Sequence, residues 1–278
     1  MKKYCVIFVV LVLVSCTDRY IDDVEAGDFP EQATASEIDV LIEKARWGDG
    51  GACLKLADCY RDGIGVKPDF VNMMNMLTLA EDYGAIDRVE DYFGCLPADR
   101  ELDILSKWAK DSADYQAVLG ALTIERGDTL QGRQLIEAAE EKESSLAMLL
   151  SCAPSYSGSN LLGITKLVET AEKVPYAYKM LGNIYSGDDY PGLKDEKLAA
   201  YYYLKADQYT CLGKEGAQWL INYYRNGGEL NLSEKDQERL LILSKEVYKE
   251  PVDAPVIMED VDEVIEVVDD DYVEEIEN

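Results

Sequence analysis

Apolar residues recur at intervals of three and four along most of the chain, and this spacing predicts helices rather than strands. In residues 52–60 the apolar stripe is followed by Gly63 and Gly65, which tolerate the left-handed backbone of a tight elbow. Pro68 disfavours helix at the residue before it, and Asp69 is a good N-cap for a second helix. That helix is predicted to bury Phe70, Met73 or Met74, Leu77 and Ala80. Two helices joined by a short elbow are therefore expected here.

Later stretches repeat this pattern in degraded form. The second copy has Tyr176, Ala177, Leu181, Gly182, Tyr185 and Gly187 in its first helix and Asp195, Ala199, Tyr203 and Ala206 in its second. A third copy has Gly216, Ala217, Leu220, Tyr224 and Gly227, followed by a helix predicted over residues 233–248. Helical periodicity predicts weaker pairs over 86–110, 113–143 and 145–173. Because one hairpin cannot bury its own apolar face, we expect the copies to stack.

The unit at residues 51–84 resembles the Sel-like repeat, a relative of the tetratricopeptide repeat. The residues that carry the resemblance are Gly51, Ala52, Leu56, Ala57, Tyr60, Gly63, Gly65, Val66, Asp69 and Ala80. Residues 72–74 depart from the family, which has a Lys-Ala pair near this point. The resemblance implies an all-α, helical-hairpin repeat solenoid over residues 36–250 that binds other proteins.

The motif residues are expected to pack in the core and between repeats, so that binding falls to other positions. This prediction covers Leu56, Tyr60, Leu181, Tyr185, Leu220 and Tyr224. Tyr201, Tyr202 and Tyr203 are consecutive, and neighbours on a helix point about 100° apart. With Tyr203 predicted to be buried, Tyr201 or Tyr202 is expected to be exposed as a candidate interface anchor.

The N-terminal segment predicts the location of the protein. Lys2 and Lys3 precede an apolar run over residues 5–14, which has signal-peptide length and is too short to span a bilayer. Residues 13–16 resemble the bacterial lipobox, which implies cleavage after residue 15 and lipidation of Cys16. Thr17, in place of an aspartate, favours the outer membrane, with the periplasmic or surface-exposed side left open. The alternative is an ordinary secretory peptide with an incidental cysteine.

Two segments outside the repeats differ in composition. Residues 16–35 have little periodicity and are predicted to be a flexible tether, followed by a capping helix that Ser36 opens and that ends near Trp47. Residues 251–278 contain twelve acidic residues and no Lys or Arg, which predicts a disordered acidic tail. The alternative for the tail is a linear motif that pairs with a partner through its Val and Ile residues.

The charge of the chain excludes some partners. The chain has 27 basic and 55 acidic residues and a net charge of −28, which becomes −30 when Lys2 and Lys3 leave with the signal peptide. Nucleic acid is excluded as a ligand because phosphate binding requires clustered Lys and Arg. Membrane attachment is then expected through the lipid alone, and a basic protein partner is compatible with the charge.

Catalytic chemistry has few candidate groups in this chain. There is no histidine, which removes the commonest general base and zinc ligand. No cofactor or metal is predicted. Cysteines Cys53, Cys59, Cys95, Cys152 and Cys211 remain beside the lipidated one, without a C-x-x-C pair, and are expected to be small buried residues. Cys53 and Cys59 are too far apart on one helix to form a disulfide, whereas pairing of Cys95 or Cys152 is left open.

Three functions are therefore considered. The first is a non-enzymatic, lipid-anchored scaffold or adaptor that binds other envelope proteins. The second is a glycan- or peptidoglycan-acting hydrolase, or its accessory subunit, with carboxylates such as Asp188 or Asp189. The third is a surface-exposed binder of a ligand or host factor.

Overall fold

The computed structural model describes residues 35–87, 89, 101–153, 160–187, 192–228 and 233–243. All regular secondary structure in these ranges is helical, and the prediction of an all-α fold is confirmed. The helices in these ranges are α1 (Ala35–Arg46), α2 (Gly50–Asp62), α3 (Phe70–Asp82), α4 (Glu101–Trp108), α5 (Ala113–Glu125), α6 (Thr129–Glu140), α7 (Ser145–Ser151), α8 (Asn160–Ala171), α9 (Tyr176–Ser186), α10 (Glu196–Gln208), α11 (Gly213–Arg225) and α12 (Glu234–Ile242).

Helices that follow one another in the chain pack together as predicted. The closest pairs are α2 with α3, α5 with α6, and α9 with α10. The weaker pairs inferred from periodicity over 113–143 and 145–173 correspond to α5–α6 and α7–α8, of which α7 is short. The helix predicted over 233–248 begins at Glu234, is capped by Ser233 and is described as far as Ile242.

The elbow between α2 and α3 has the predicted backbone. Gly63 ends α2 with φ 74°, and Gly65 has φ 71°, both in the left-handed region that glycine adopts without steric cost. The Asp69 side chain accepts a hydrogen bond from the Asn72 amide at 2.8 Å and caps α3. The Asp69 amide donates to the Tyr60 carbonyl at 3.0 Å, which fixes the direction in which α3 leaves the elbow.

The connection between α9 and α10 contains the same hydrogen bond from an aspartate amide to a tyrosine carbonyl, which we call the joint. The Asp195 amide donates to the Tyr185 carbonyl at 3.0 Å, and the Asp195 side chain caps α10 through the amides of Lys197 and Leu198. The two hairpins therefore share their tyrosine-to-aspartate hydrogen bond as well as their apolar stripe, although the second elbow is one residue longer.

Most of helix α3 is buried, including the five consecutive residues 73–77. Either Met73 or Met74 was predicted to be buried, and both are. The buried residues of α3 are Phe70, Val71, Met73, Met74, Asn75, Met76, Leu77, Leu79 and Ala80. Besides α2, it contacts α7, α9 and α11. A helix that is apolar all round needs partners on every side. These contacts with helices far along the chain differ from the neighbour-only contacts expected of an open solenoid.

Polar contacts hold α3 to the segments that lie far from it in sequence. The Asp82 carboxylate accepts a hydrogen bond from the Lys214 amide at 2.9 Å, which joins the end of α3 to the start of α11. The Asn75 amide group donates to the Thr210 carbonyl at 2.8 Å. Such bonds satisfy buried backbone groups that would otherwise destabilise the fold.

Charged residues join the first and last described helices. Arg239 of α12 pairs with the buried Asp207 and donates to the Arg46 carbonyl at 3.3 Å. Arg46 of α1 in turn pairs with Asp236 of α12 at 3.3 Å. The capping helix predicted from Ser36 is present, but Ser36 lies inside its first turn. We refer to the contacts among Arg46, Asp207, Asp236 and Arg239 as the α1–α12 clasp.

Two glycines allow α5 and α6 to approach closely. A Cβ added at Gly132 would lie 2.5 Å from the Gly120 carbonyl oxygen, and one added at Gly120 would lie 2.8 Å from the Gly132 carbonyl oxygen. Only glycine fits at these positions without moving the backbone.

Candidate functional site

Five tyrosines of the α9–α10 hairpin form a continuous array, which we call the tyrosine face: Tyr178, Tyr185, Tyr201, Tyr202 and Tyr209. The Tyr202 ring stacks on Tyr185 at 5.6 Å and on Tyr178 at 6.4 Å between ring centroids. Tyr178 stacks on Tyr209 at 5.9 Å, and Tyr201 meets the Tyr202 ring edge-on at 5.2 Å. The array therefore runs from Tyr185 at one end to Tyr209 at the other.

The packing of Tyr203 determines which tyrosines face outward. Tyr203 is 3% exposed, and its ring lies against Gly182 of α9, where a Cβ would come within 2.5 Å of it. Its hydroxyl donates to Asn183 Oδ1 at 2.8 Å. Because neighbouring residues point about 100° apart, Tyr201 and Tyr202 point away from the direction in which Tyr203 is buried.

Exposure differs along the tyrosine face. Tyr201 and Tyr209 are each 51% exposed, whereas Tyr178, Tyr185 and Tyr202 are half-buried. The prediction that Tyr201 or Tyr202 is exposed is thus confirmed for Tyr201. A half-buried ring is held in place by its neighbours, so the face offers rigid aromatic area with little rotamer entropy left to lose on binding.

Three phenols of this face, those of Tyr178, Tyr185 and Tyr202, have a raised pKa and stay neutral over the physiological pH range. Burial, with the nearby tyrosines Tyr185, Tyr201 and Tyr178 as further causes, raises the pKa of Tyr202 to about 12. Burial and then the Asp195 charge raise the pKa of Tyr185, and burial is the main cause of the raised pKa of Tyr178. These three hydroxyls therefore act as neutral hydrogen-bonding groups.

The predicted motif residues lie mostly in the core, but Tyr185 also belongs to the tyrosine face, so the prediction that binding falls only to other positions is wrong for it. Leu56, Leu181 and Leu220 are completely buried, as predicted, and Tyr60, Tyr185 and Tyr224 are half-buried. Ala52, Ala57 and Gly182 are buried as well, whereas Gly51 and Gly65 are exposed.

Several predicted positions lie outside the described residues. These are Cys16 with the leader and most of the tether, Asp188 and Asp189, Cys95, and the acidic tail at 251–278. In the ranges that the structure describes, no helix is long and apolar enough to cross a membrane.

The cysteines that the structure describes are free and buried, as predicted, namely Cys53, Cys59, Cys152 and Cys211. Burial raises the pKa of Cys53 and of Cys211 to about 12, which keeps both thiols protonated and unreactive. Cys152, for which a disulfide was left open, is a free thiol that lies 3.1 Å from the Met148 carbonyl.

Two acidic residues meet at the helix N-termini of α3, α5 and α7. Asp114 accepts hydrogen bonds from the Phe70 amide at 3.0 Å and the Ser144 hydroxyl at 2.5 Å. Asp69, besides capping α3, accepts from the Ser145 hydroxyl at 2.6 Å. Burial is the main cause of the raised pKa of Asp114. These carboxylates hold helix termini together, and their oxygens are engaged in that role.

A groove of about 630 Å³ lies between the start of α10 and the second half of α11. Trp219 packs between Tyr203 and Tyr223, at 5.3 and 5.2 Å, and Gly228 lies against the Tyr223 ring. The polar side chains that line the groove are Asp195, Glu196, Lys197, Asn222 and Asn226. Its two carboxylates belong to consecutive residues, whereas glycoside hydrolases place two carboxylates on opposite sides of the bond they cleave.

Sequence reasoning missed two members of the tyrosine face, Tyr178 and Tyr209. The signal was present, because Tyr178 and Tyr185 are seven residues apart, as are Tyr202 and Tyr209. A spacing of seven brings two residues of a helix to the same side. What the sequence lacked was the pairing of α9 with α10, which joins the two pairs.

The described ranges also hold no group of three or more His, Cys, Asp and Glu side chains that could bind a metal ion. A comparison of the chain with protein-family models found no match, and a comparison with curated proteins found none either.

Proposed function

We propose that the protein is a lipid-anchored scaffold of the bacterial cell envelope that binds another envelope protein through the tyrosine face. The observation that carries this proposal is the array of five tyrosines on one hairpin, with Tyr201 and Tyr209 half exposed. Tyrosine is enriched in protein interfaces, where an aromatic ring and a hydroxyl provide apolar area and a hydrogen bond together. Scaffolding needs no catalytic group, cofactor or metal.

We further propose that the hairpins are Sel-like repeats. The matching Tyr60–Asp69 and Tyr185–Asp195 hydrogen bonds, both 3.0 Å, support this, because unrelated hairpins have no reason to share the joint. In this proposal the repeats form a superhelix in which later helices pack against α3. A disordered acidic tail follows the last repeat.

Attachment to the outer membrane is proposed through lipidated Cys16. The support is the order of basic residues, apolar run and cysteine at the start of the chain. Two or more acyl chains anchor a protein firmly, whereas one chain gives only marginal binding. Replacing Cys16 with alanine is expected to move the protein from the detergent phase to the aqueous phase in a partitioning assay. Unchanged partitioning would contradict the anchor.

The binding proposal is tested by photocrosslinking in intact cells. A photoreactive amino acid replaces Tyr201 in one variant and Leu130, which is 72% exposed on α6, in the control. We expect a discrete protein adduct from position 201 and none from position 130. Adducts of equal yield at both positions, or none at 201, would contradict the tyrosine face as the binding surface.

A further inference from the structure

We infer that the partner segment that binds the tyrosine face is cationic, presenting Arg or Lys side chains to the rings. This inference rests on the proposed function and names the chemistry of its partner. The faces of tyrosine rings carry negative electrostatic potential, and a cation within about 6 Å of a ring centroid is attracted to it.

Acidic residues act on two of the stacked rings, Tyr185 and Tyr178. The carboxylate of Asp195 acts on Tyr185, at one end of the array. Burial, then Tyr209 and Tyr201, and last the charge of the exposed Glu172 raise the pKa of Tyr178, which stacks on Tyr209 near the other end. The Asp195 amide also donates to the Tyr185 carbonyl at 3.0 Å, so a ligand that spans the array lies over stacked aromatic rings with an acidic residue near each end.

The hairpin itself already contains this type of contact. The Lys205 ammonium lies over the Tyr201 ring at 5.7 Å, and the Lys179 ammonium lies over Tyr176 at 5.4 Å. Tyr209 is 51% exposed at the end of the stack and is available to an incoming cation.

The charge of the whole protein favours the same occupant. With 27 basic and 55 acidic residues, the chain attracts cationic partners over a distance and repels anionic ones. Nucleic acids also stack on aromatic rings, but they require a positively charged groove. The carboxylates of Glu172 and Asp195 oppose such binding.

The test measures peptide affinity for the full-length lipidated protein in detergent micelles at low salt. One peptide alternates arginine with glycine, and the matched peptide has glutamine in place of each arginine. We expect the arginine peptide to bind at least about tenfold more tightly, which corresponds to one or two cation–π contacts. Equal affinity of the two peptides would overturn the inference in favour of a neutral partner segment.

Variants separate the tyrosine face from general electrostatic attraction. Tyr201→Leu combined with Tyr209→Leu removes the exposed rings and is expected to weaken arginine-peptide binding by about tenfold. Glu172→Gln and Asp195→Asn are each expected to weaken it by about two- to fivefold, and asparagine retains the capping ability of Asp195. Glu141→Gln removes an exposed charge on another hairpin and is the control, with less than about a twofold effect expected.

The outcomes distinguish this inference from the proposed function. Two results would refute the inference that the partner segment is cationic. One is that Glu141→Gln weakens binding as much as Glu172→Gln, and the other is that the Tyr201→Leu/Tyr209→Leu variant keeps full affinity. A photoadduct at position 201 without any preference for arginine would leave the scaffold proposal standing and refute only the inference. Arginine preference without an adduct in cells would refute the scaffold proposal instead.

Discussion

The hairpins α2–α3 and α9–α10 share the residues that build the hairpin but differ in their surroundings. Other helices cover α3, whereas α10 has an exposed outer side. Both join a motif tyrosine to a capping aspartate through a 3.0 Å hydrogen bond, and both bury an alanine eleven residues after the cap, Ala80 and Ala206. At the position seven residues after the cap, however, α3 has the buried Met76 and α10 has the half-buried Tyr202.

Two further positions show the same difference between α3 and α10. Six residues after the cap, α3 has the buried Asn75 and α10 has the exposed Tyr201. Ten residues after it, α3 has the buried Leu79 where α10 has Lys205. The shared residues therefore build the hairpin, and the residues between them decide whether its outer side packs against other helices or faces a partner.

The largest expected effect tests whether the buried leucines of the two hairpins, Leu56 and Leu181, are equally important for stability. Leu56→Asp and Leu181→Asp each place an unpaired charge at a completely buried position, and each should lower the free energy of unfolding by more than about 3 kcal/mol. Urea denaturation measures this. Leu130→Asp, at a site that is 72% exposed, is the control and should change stability by less than about 0.5 kcal/mol. An unchanged midpoint for either buried variant would break the equivalence.

A smaller effect tests the difference between the outer sides. Leu79→Ala leaves a cavity among α3 and its neighbours and should cost about 2–5 kcal/mol, because Leu79 is 2% exposed. Lys205→Ala, at the matching position of α10, should change the free energy of unfolding by about 0.5 kcal/mol or less. Similar losses in the two variants, measured in the same urea series, would show that the outer side of α10 is packed like that of α3.

The smallest expected effect is on the pH dependence of the free energy of unfolding. It concerns the position thirteen residues after each cap, which is Asp82 in α3 and the exposed Gln208 in α10. Burial raises the pKa of Asp82 above 3.8, against the hydrogen bond from the Lys214 amide and the Lys179 charge, which lower it. Its contribution to stability is therefore complete below pH 3.8 and is lost as the pH rises through the folded-state pKa. Asp82→Asn keeps the acceptor for the Lys214 amide and should reduce this decline.

The matched control for the pH effect is Gln208→Asp. An exposed carboxylate at the equivalent site should leave the pH dependence of stability unchanged, since its pKa is similar in the folded and unfolded chain. Urea denaturation between pH 4 and about pH 7 measures both variants. A decline with the same slope in wild type and Asp82→Asn would show that Asp82 does not titrate differently in the two states.

Local features of the fold were predictable because their causes lie within a few residues. Gly63, Gly65 and Asp69 specify the elbow through backbone conformation and capping, and the spacing of Leu56 and Leu181 specifies the buried stripe. The approach of Gly120 to Gly132 was missed, since a glycine within a helix signals a close contact only when the facing helix is known. The contacts of α3 with α9 and α11 were missed for the same reason.

The candidate site was predictable only in part. Burial of Tyr203 follows from the repeat pattern and turns Tyr201 outward, so one exposed tyrosine was expected. The stacking of Tyr178 and Tyr209 with Tyr202 depends on how α9 lies against α10, which periodicity within one helix does not specify. The carboxylates Asp69 and Asp114 likewise meet through the arrangement of three helices.

The α1–α12 clasp has a consequence for the order in which this protein is completed during synthesis. Until α12 has been made, the buried Asp207 has Arg46 at 3.6 Å as its cation and lacks Arg239, which also holds the Arg46 carbonyl. A nascent chain that ends at α11 thus carries a partly neutralised buried charge, and its helix α1 packs on α2 but lacks the contacts with α12. Of the helices that the structure describes, the first therefore gains part of its contacts only after the last has been synthesised.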